Sequence, residues 1–292
     1  MKILFTSDIH ASNTHLYSMI SIAEREKIDC LIIGGDVVPH YLPDTAGIGV
    51  LKVHGKYLED VFIPVITDFK KRTSTKIYLD LGNDDFICNR KILEEYDGRL
   101  INLLHFRKNK LTDDVDIIGY MNVPPTPFKL KDWEKPDSLK NPCMANSSII
   151  TKGYISTNGI LEETVINLAS NDTIERDLYE LSKVVDRPFI FISHSPPHKT
   201  PLDVIYNGQN VGSVSIKRFI EQWSGKGLLM AAFHGHIHES PQRSGSIQTK
   251  IGKALCVNPG QGNGEGAEFR YVIFGLSGNR IFLQDQLGNI LS

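Results

Sequence analysis

Five short apolar runs in this sequence each end in Asp, Asn or His. K-I-L-F-T-S runs into Asp8 and His10, C-L-I-I-G-G into Asp36, and K-I-Y-L-D-L-G into Asn83, Asp84 and Asp85. F-I-F-I-S leads to His194, and L-L-M-A-A-F to His234, His236 and His238. Each run reads as a strand, and in open α/β sheets ligands bind in the crevice outside the carboxyl ends of the strands. Five strands therefore deliver polar side chains to one rim, and that arrangement demands an α/β fold.

The remaining periodicity supports this frame. Over roughly the first hundred residues, short apolar runs alternate with longer amphipathic ones, as βαβ units with crossover helices require. Strands are expected at Lys2 to Thr6, Cys30 to Gly34, Lys76 to Leu81, Leu100 to Asn102 and Val115 to Tyr120. Helices are expected at Asn13 to Lys27 and Gly49 to Arg72, the second kinked or ended by Pro64. From Asn122 to Asn158, prolines 124, 125, 127, 136 and 142 argue against regular structure, and the stretch reads as a long excursion or lid. Helical patterning then covers Leu161 to Val185, followed by a strand at Pro188 to Ser193 and a helix at Ser213 to Trp223. A strand at Leu228 to Phe233 and a strand-rich C-terminus beyond Ile247 complete the pattern. No repeat or linker divides the chain, so a single domain over residues 1–292 is expected.

Spacing narrows the chemistry. Asp8 and His10, like His236 and His238, are two apart, and in extended chain such residues point to one side. Taken singly, Asp-x-His after a strand is more often a helix N-cap with a surface histidine, and Asp36 after two glycines more often turn chemistry. Their coincidence in one order selects a metal centre. Asp8, His10, Asp36, Asn83, His194, His236 and His238 are more ligands than one tetrahedral zinc needs, which implies two ions. Carboxylate, amide oxygen and imidazole without thiolate suit Mn, Fe, Zn, Co or Ni better than copper(I). Two such ions about 3.5 to 4 Å apart form the clamp used for in-line displacement at phosphorus. A carboxylate must bridge them, and Asp36 is the natural choice.

Composition excludes other classes. Against 34 Asp+Glu stand 32 Lys+Arg, a net charge of -2 that offers no basic stripe for a nucleic-acid polymer. No apolar run approaches the roughly 20 residues a membrane helix needs, so a cytoplasmic protein is expected. Cys30, Cys88, Cys143 and Cys256 are widely spaced without C-x-x-C, which indicates neither a disulfide framework nor a thiolate cage.

The motifs D-I-H, G-G-D, G-N-D-D, S-H and G-H-I-H, in this order from Asp8 to His238, resemble those of the calcineurin-like binuclear metallophosphoesterases. The stretches S-H-S-P-P-H, T-P-L-D, V-G-S and V-N-P-G are similar to a subgroup of small prokaryotic phosphoesterases. The resemblance implies a four-layer α/β fold: a two-sheet β-sandwich flanked by helices, with the metals at the strand ends. It implies one metal on Asp8, His10, Asp36 and His238, and the other on Asp36, Asn83, His194 and His236. Manganese is the leading metal, and a hydroxide between the ions would attack phosphorus in a small phosphoester. A homo-oligomer is compatible with this reading.

One position departs from the pattern. Where many relatives carry His after the motif's Asn, this chain has Asp84. A carboxylate there penalises a dianionic monoester more than a monoanionic diester, so Asp84 is expected to act in a phosphodiesterase of small substrates such as cyclic nucleotides. Protonated by its acidic surroundings, it could instead donate a proton. The alternatives are a phosphomonoesterase on a nucleotide or sugar phosphate, and a non-catalytic scaffold. Val37, Val38, Pro39 and His40 follow Asp36 without the Arg of the protein phosphatases, which disfavours a phosphoprotein substrate.

Other residues carry weaker signals. In the excursion, Lys129, Lys131 and Lys135 could meet phosphate and Phe128 and Trp133 stack on a base, or the segment could be a solvated insertion or subunit contact. Gly260, Gly262, Gly264 and Gly266 suggest a hairpin loop near the rim rather than a phosphate cradle. His15, His54, His105 and His234 read mostly as surface residues or residues behind the ligands. His198 is expected to face substrate, and His40 to orient a ligand.

Overall fold

The structure, a computed structural model, describes residues 1–40, 48–143, 149–262, 267–278 and 280–284. Strand β1 (Lys2–Thr6) leads through α1 (Asn13–Arg25) to β2 (Cys30–Ile33), and then through α2 (Ile48–Tyr57) and α3 (Ile63–Arg72) to β3 (Lys76–Leu79). Short α4 (Arg90–Glu94) precedes β4 (Asn102–Leu103). The chain then crosses to a second sheet with β5 (Arg107–Lys110) and β6 (Asp116–Tyr120), and leaves it for the hairpin β7 (Lys152–Thr157) and β8 (Ile160–Val165). Helix α5 (Ile174–Ser182), β9 (Phe189–Ser193), α6 (Val214–Gly225), β10 (Leu229–Phe233), short α7 (Ser240–Ser244), β11 (Gln248–Ile251) and β12 (Ala254–Val257) follow. The last pair, β13 (Val272–Ser277) and β14 (Arg280–Gln284), returns to the first sheet.

Both large sheets have six strands, in the orders β14-β13-β1-β2-β3-β4 and β11-β12-β10-β9-β6-β5. β1, β2 and β3 run parallel, as do β6, β9, β10 and β12. Parallel strands covered on both faces must be apolar throughout, and every residue of β2, β6 and β9 is buried. Between the sheets, Phe233 packs on Phe5 and Phe274 with ring centroids 5.2 and 4.3 Å apart. Outside, α1 and α3 bury Leu16, Met19, Ile66 and Phe69 into the same core. On the other side α5 and α6 bury Leu178, Phe219 and Trp223 against Phe189 and Phe191. Helices thus flank a two-sheet sandwich. Ser12, Thr173 and Ser213 cap α1, α5 and α6, each hydroxyl accepting a first-turn N–H. Among the described residues no helix is long and apolar enough to cross a membrane.

Three expectations change. Pro64 does not end the helix between β2 and β3. A π-helical turn, Leu58–Phe62, precedes it, and α3 restarts with Pro64 in its first turn, where the missing N–H has no partner to lose. The excursion is not wholly irregular, because β7 and β8 pair Lys152↔Val165 through Thr157↔Ile160. The helix expected from Leu161 therefore starts only at Ile174. Asn158-Gly159, with φ of 51° and 79°, makes the tight turn that strand twist prefers, and β-branched Ile160, Thr164 and Val165 suit a strand. Finally, the glycine-rich run is not a hairpin loop: β12 and β13 lie in different sheets, so the segment crosses between them. Gly264 and Gly266 lie outside the described residues.

Candidate metal centre

Four of the seven proposed ligands sit in sharp turns after their strands. Asp8, His10, Asp36 and His236 have φ of 60°, 46°, 52° and 66°, a region costly for side chains other than glycine. The first two therefore reach one centre through left-handed turns rather than the extended path expected of an i, i+2 pair. Hydrogen bonds hold these turns: Asp8 N donates to Gly35 O at 3.0 Å, His10 N to Asp36 O at 3.0 Å and Ala11 N to Val37 O at 2.9 Å.

The result is a convergent donor set. Asp8, His10, Asp36 and His238 each offer one ligating atom, all within 4.8 Å of one another. His10 Nε2 lies 3.2 Å from His238 Nε2 and 3.7 Å from Asp36 Oδ2, and His238 Nε2 lies 3.4 Å from Asp8 Oδ1. On the other side of Asp36, His194 Nε2 lies 3.2 Å from its Oδ2 and 2.9 Å from Asn83 Oδ1. The His236 ring stands 5.3 Å from that of His194, centroid to centroid. Asp36 Oδ1 accepts the Asp84 N–H at 2.8 Å, which leaves Oδ2 facing both groups.

These residues fit divalent ions. Two imidazole nitrogens 3.2 Å apart with carboxylate oxygens beside them are a set of lone pairs that a cation would bind in place of protons. His10 Nδ1 is buried without a hydrogen-bond partner, with Asp84 Oδ2 standing 3.6 Å away. His194 Nδ1 donates to Gly34 O at 2.8 Å, which turns Nε2 towards Asp36 and Asn83. Burial lowers the pKa values of His10 and His236 to about 3, so both rings are neutral, the form that ligates. Burial opposes charge on His194 too, yet Asp36 and Asp8 raise its pKa to about 9, a measure of how strongly the pocket attracts positive charge. Against the cost of burial, His238 draws Asp8 down to about 2, and His194 and His10 hold Asp36 below the ordinary carboxylate range.

The motif glycines are demanded by contact. A Cβ on Gly82 would overlap Asp36 Oδ1 and lie 2.6 Å from Asp36 N, and one on Gly35 would lie 2.6 Å from His194 Nδ1. Several residues to which the sequence alone assigns no role brace these loops. Asp85, buried, accepts the N–H groups of Val37 at 3.0 Å, Val38 at 2.9 Å and Gly82 at 2.8 Å, and so ties the loop after β2 to the loop after β3. Burial and the nearby Asp36 charge push its pKa well up. Asn258 donates to Gly235 O and Ile237 O, both at 3.2 Å, and Gln261 to Ser7 O at 3.1 Å. The V-N-P-G motif is the available signal for Asn258, whereas Asp85 shows only once the two loops are adjacent.

Asp84 sits at the rim, 2.6 Å from His40 Nδ1 through Oδ2. His40 also stacks on His10 with centroids 3.6 Å apart, so it braces a proposed ligand by packing. Among the described residues of the excursion, the lysines do not gather at this rim as a cluster of cations. Lys131 and Glu134 form a fully buried pair at 2.8 Å, Trp133 is buried with its indole N–H on Asp85 O at 2.9 Å, and Lys135 pairs with Asp172 and Asp177. Lys129 and Phe128 are exposed. His198 Nδ1 lies 3.4 Å from Asp203 Oδ2, and His15, His54 and His234 are buried rather than superficial.

Two solved structures share the fold. TT1561 of Thermus thermophilus matches with a TM-score of 0.53 at 12% identity, covering 97% of each chain. A dimetal phosphatase from Danio rerio, LOC 393393, matches with a TM-score of 0.53 at 10% identity, covering 97% of this chain and 95% of its own. No curated protein sequence matches. The family profile of the calcineurin-like phosphoesterases aligns with residues 1–240, a span that holds every residue of the convergent donor set, and the chain belongs to that family.

Proposed function

We infer that this protein is a metal-dependent phosphoester hydrolase that holds two divalent transition-metal ions, manganese foremost, and acts on a small phosphodiester. The observation that carries the reading is the division of Asp36: Oδ1 is fixed by Asp84 N–H, and Oδ2 lies 3.2 Å from His194 Nε2 and 3.7 Å from His10 Nε2. Asp8, His10, Asp36 and His238 would hold one ion, and Asp36, Asn83, His194 and His236 the other. When bound, the ions supply the Lewis acidity that readies a water for attack near neutral pH and neutralises charge on the phosphoryl group.

The chain's own part is placement and charge. Asp8 and Asp36 are the two carboxylates of the proposed ligand set, so with two divalent ions bound the site would keep a net positive charge that draws a phosphate anion. Asp84 stands beside that centre, and its carboxylate disfavours a second negative charge on the substrate, hence the preference for a diester. We place the protein in the cytoplasm because Cys30, Cys88, Cys143 and Cys256 are all unpaired thiols.

The test is hydrolysis of bis-p-nitrophenyl phosphate and p-nitrophenyl phosphate by metal-stripped protein reloaded with Mn²⁺. Diester turnover should exceed monoester turnover and vanish in Asp36→Asn. Monoester preference would overturn the diester reading, and silence on both esters with two ions bound would point to a narrow substrate or to a scaffold.

A further inference from the structure

Beside the metal centre lies a cavity of about 320 Å³ that the proposed chemistry leaves without a role. Three segments and Ile149 wall it: the loop Pro124 to Phe128, the turn carrying Ile205, Tyr206 and Val211, and the turn that carries His236, Ile237 and Glu239. His236 therefore borders both the cavity and the metal centre, and a molecule held at the centre has this space next to it.

The wall is built to be dry. Pro124, Pro125 and Pro127 have no N–H, so this stretch can line a cavity with few donors left unsatisfied. The one intervening N–H, on Thr126, donates to Glu134 Oε2 at 3.0 Å, behind the wall. Lys131 pairs with Glu134 at 2.8 Å and donates to Thr126 O at 3.2 Å, so a buried ion pair fixes the proline loop from the rear. Such bracing prepares a pocket before its ligand arrives.

The lining also states what it excludes. Among the described residues Glu239 is its only charged member, and neither Lys nor Arg faces it. A second phosphate would find no Lys or Arg there and would meet the Glu239 carboxylate. Phe128 and Tyr206, 56% and 65% exposed, instead present rings to solvent beside the apolar floor. Exposed rings at the rim of an apolar hollow mark a place where a ligand completes the burial.

We propose that this cavity receives an uncharged aromatic or heteroaromatic group of the substrate, which makes the substrate class a small phosphoester with a flat ring close to phosphorus and no further phosphate on that side. The proposal rests on the phosphoester reading of the adjoining centre. It assigns Phe128 and Tyr206 to substrate selection rather than to chemistry.

Phenylphosphonate and methylphosphonate share a head group and differ only in the substituent, so they isolate the cavity. Each is titrated calorimetrically into Mn²⁺-loaded protein and assayed as an inhibitor of bis-p-nitrophenyl phosphate turnover. Phenylphosphonate should bind at least about tenfold more tightly, by both measures. Phe128→Ala combined with Tyr206→Ala, both at exposed positions, should bring the two affinities to within about threefold. Equal affinities in the parent protein, or a ratio unchanged in the double variant, would overturn the proposal while leaving the phosphoester reading intact. A ring preference seen by calorimetry in a protein that hydrolyses no ester would sustain the cavity's role and remove the hydrolase reading.

Discussion

Nδ1 of His40 lies 2.6 Å from Oδ2 of Asp84, and the same imidazole stacks on His10. The loop after β2 thus brings a histidine to the rim, where the motif residue after Asn83 is a carboxylate. The pair predicts variants of opposite sign. Asp84→Ala removes a negative charge beside the substrate, and the ratio of monoester to diester kcat/KM should rise about tenfold. His40→Ala leaves that carboxylate without its imidazole, and the ratio should fall. Parallel measurement on the two p-nitrophenyl esters checks both, and a shift of the same sign in the two variants would reject this account of Asp84.

Gly82→Ala should be among the most damaging small substitutions in the chain. Its Cβ would lie 2.6 Å from Asp36 N and 2.8 Å from His194 Cε1, inside contact range for backbone and for a fixed ring alike. Neither neighbour is the free end of a flexible side chain, so the overlap displaces two proposed ligands at once. We expect a loss of about 2 kcal/mol in stability and less than one bound Mn²⁺ per chain, read by denaturant unfolding and by elemental analysis.

Metal removal should lower stability as well as activity. Ions that bind only the folded chain stabilise it by mass action, by about 2.7 kcal/mol at a free concentration a hundred times the dissociation constant. Thermal unfolding with and without chelator should show a Tm that rises with added Mn²⁺. In Asp36→Asn that rise should be lost, because both proposed ligand sets include Asp36. A Tm indifferent to Mn²⁺ in the parent protein would contradict the assignment.

The parts of the fold that can be read in the sequence are those whose pattern is local. β1 has the bounds expected of it, and β9 and β10 differ by one residue at their starts, because strands buried on both faces must be continuous apolar runs. The donors are legible for a related reason: a ligand at a strand end stands next to the run that reveals the strand. What stays hidden depends on distant contact. Nothing near Asp85 in sequence shows that its carboxylate will meet the N–H groups of Val37 and Val38, and nothing near Lys131 shows that it will be buried against Glu134. The hairpin of β7 and β8 differs in kind. Asn158-Gly159 carries a local turn signal, but the prolines upstream outweigh it when the sequence is read alone.

Asp132 gives the clearest pH dependence away from the metal centre. Its carboxylate accepts the N–H of Ser156 at 2.6 Å and that of Ile87 at 2.9 Å, and so joins β7 to the segment after β3. Burial raises its pKa from 3.8 to about 6, against the opposing hydrogen bonds from Ser156 and Ile87. With the folded value above the unfolded one, the folded chain binds an extra proton between these limits. Stability from this group is therefore full below about pH 4 and lost as pH rises through about 6. The shift corresponds to about 3 kcal/mol. Asp132→Asn cannot titrate, so the stability of the parent minus that of the variant should fall by about this amount between roughly pH 3.5 and 7. Urea unfolding of both proteins without metal, across that range, measures the difference directly. A flat difference would mean that Asp132 titrates alike in the folded and unfolded chains.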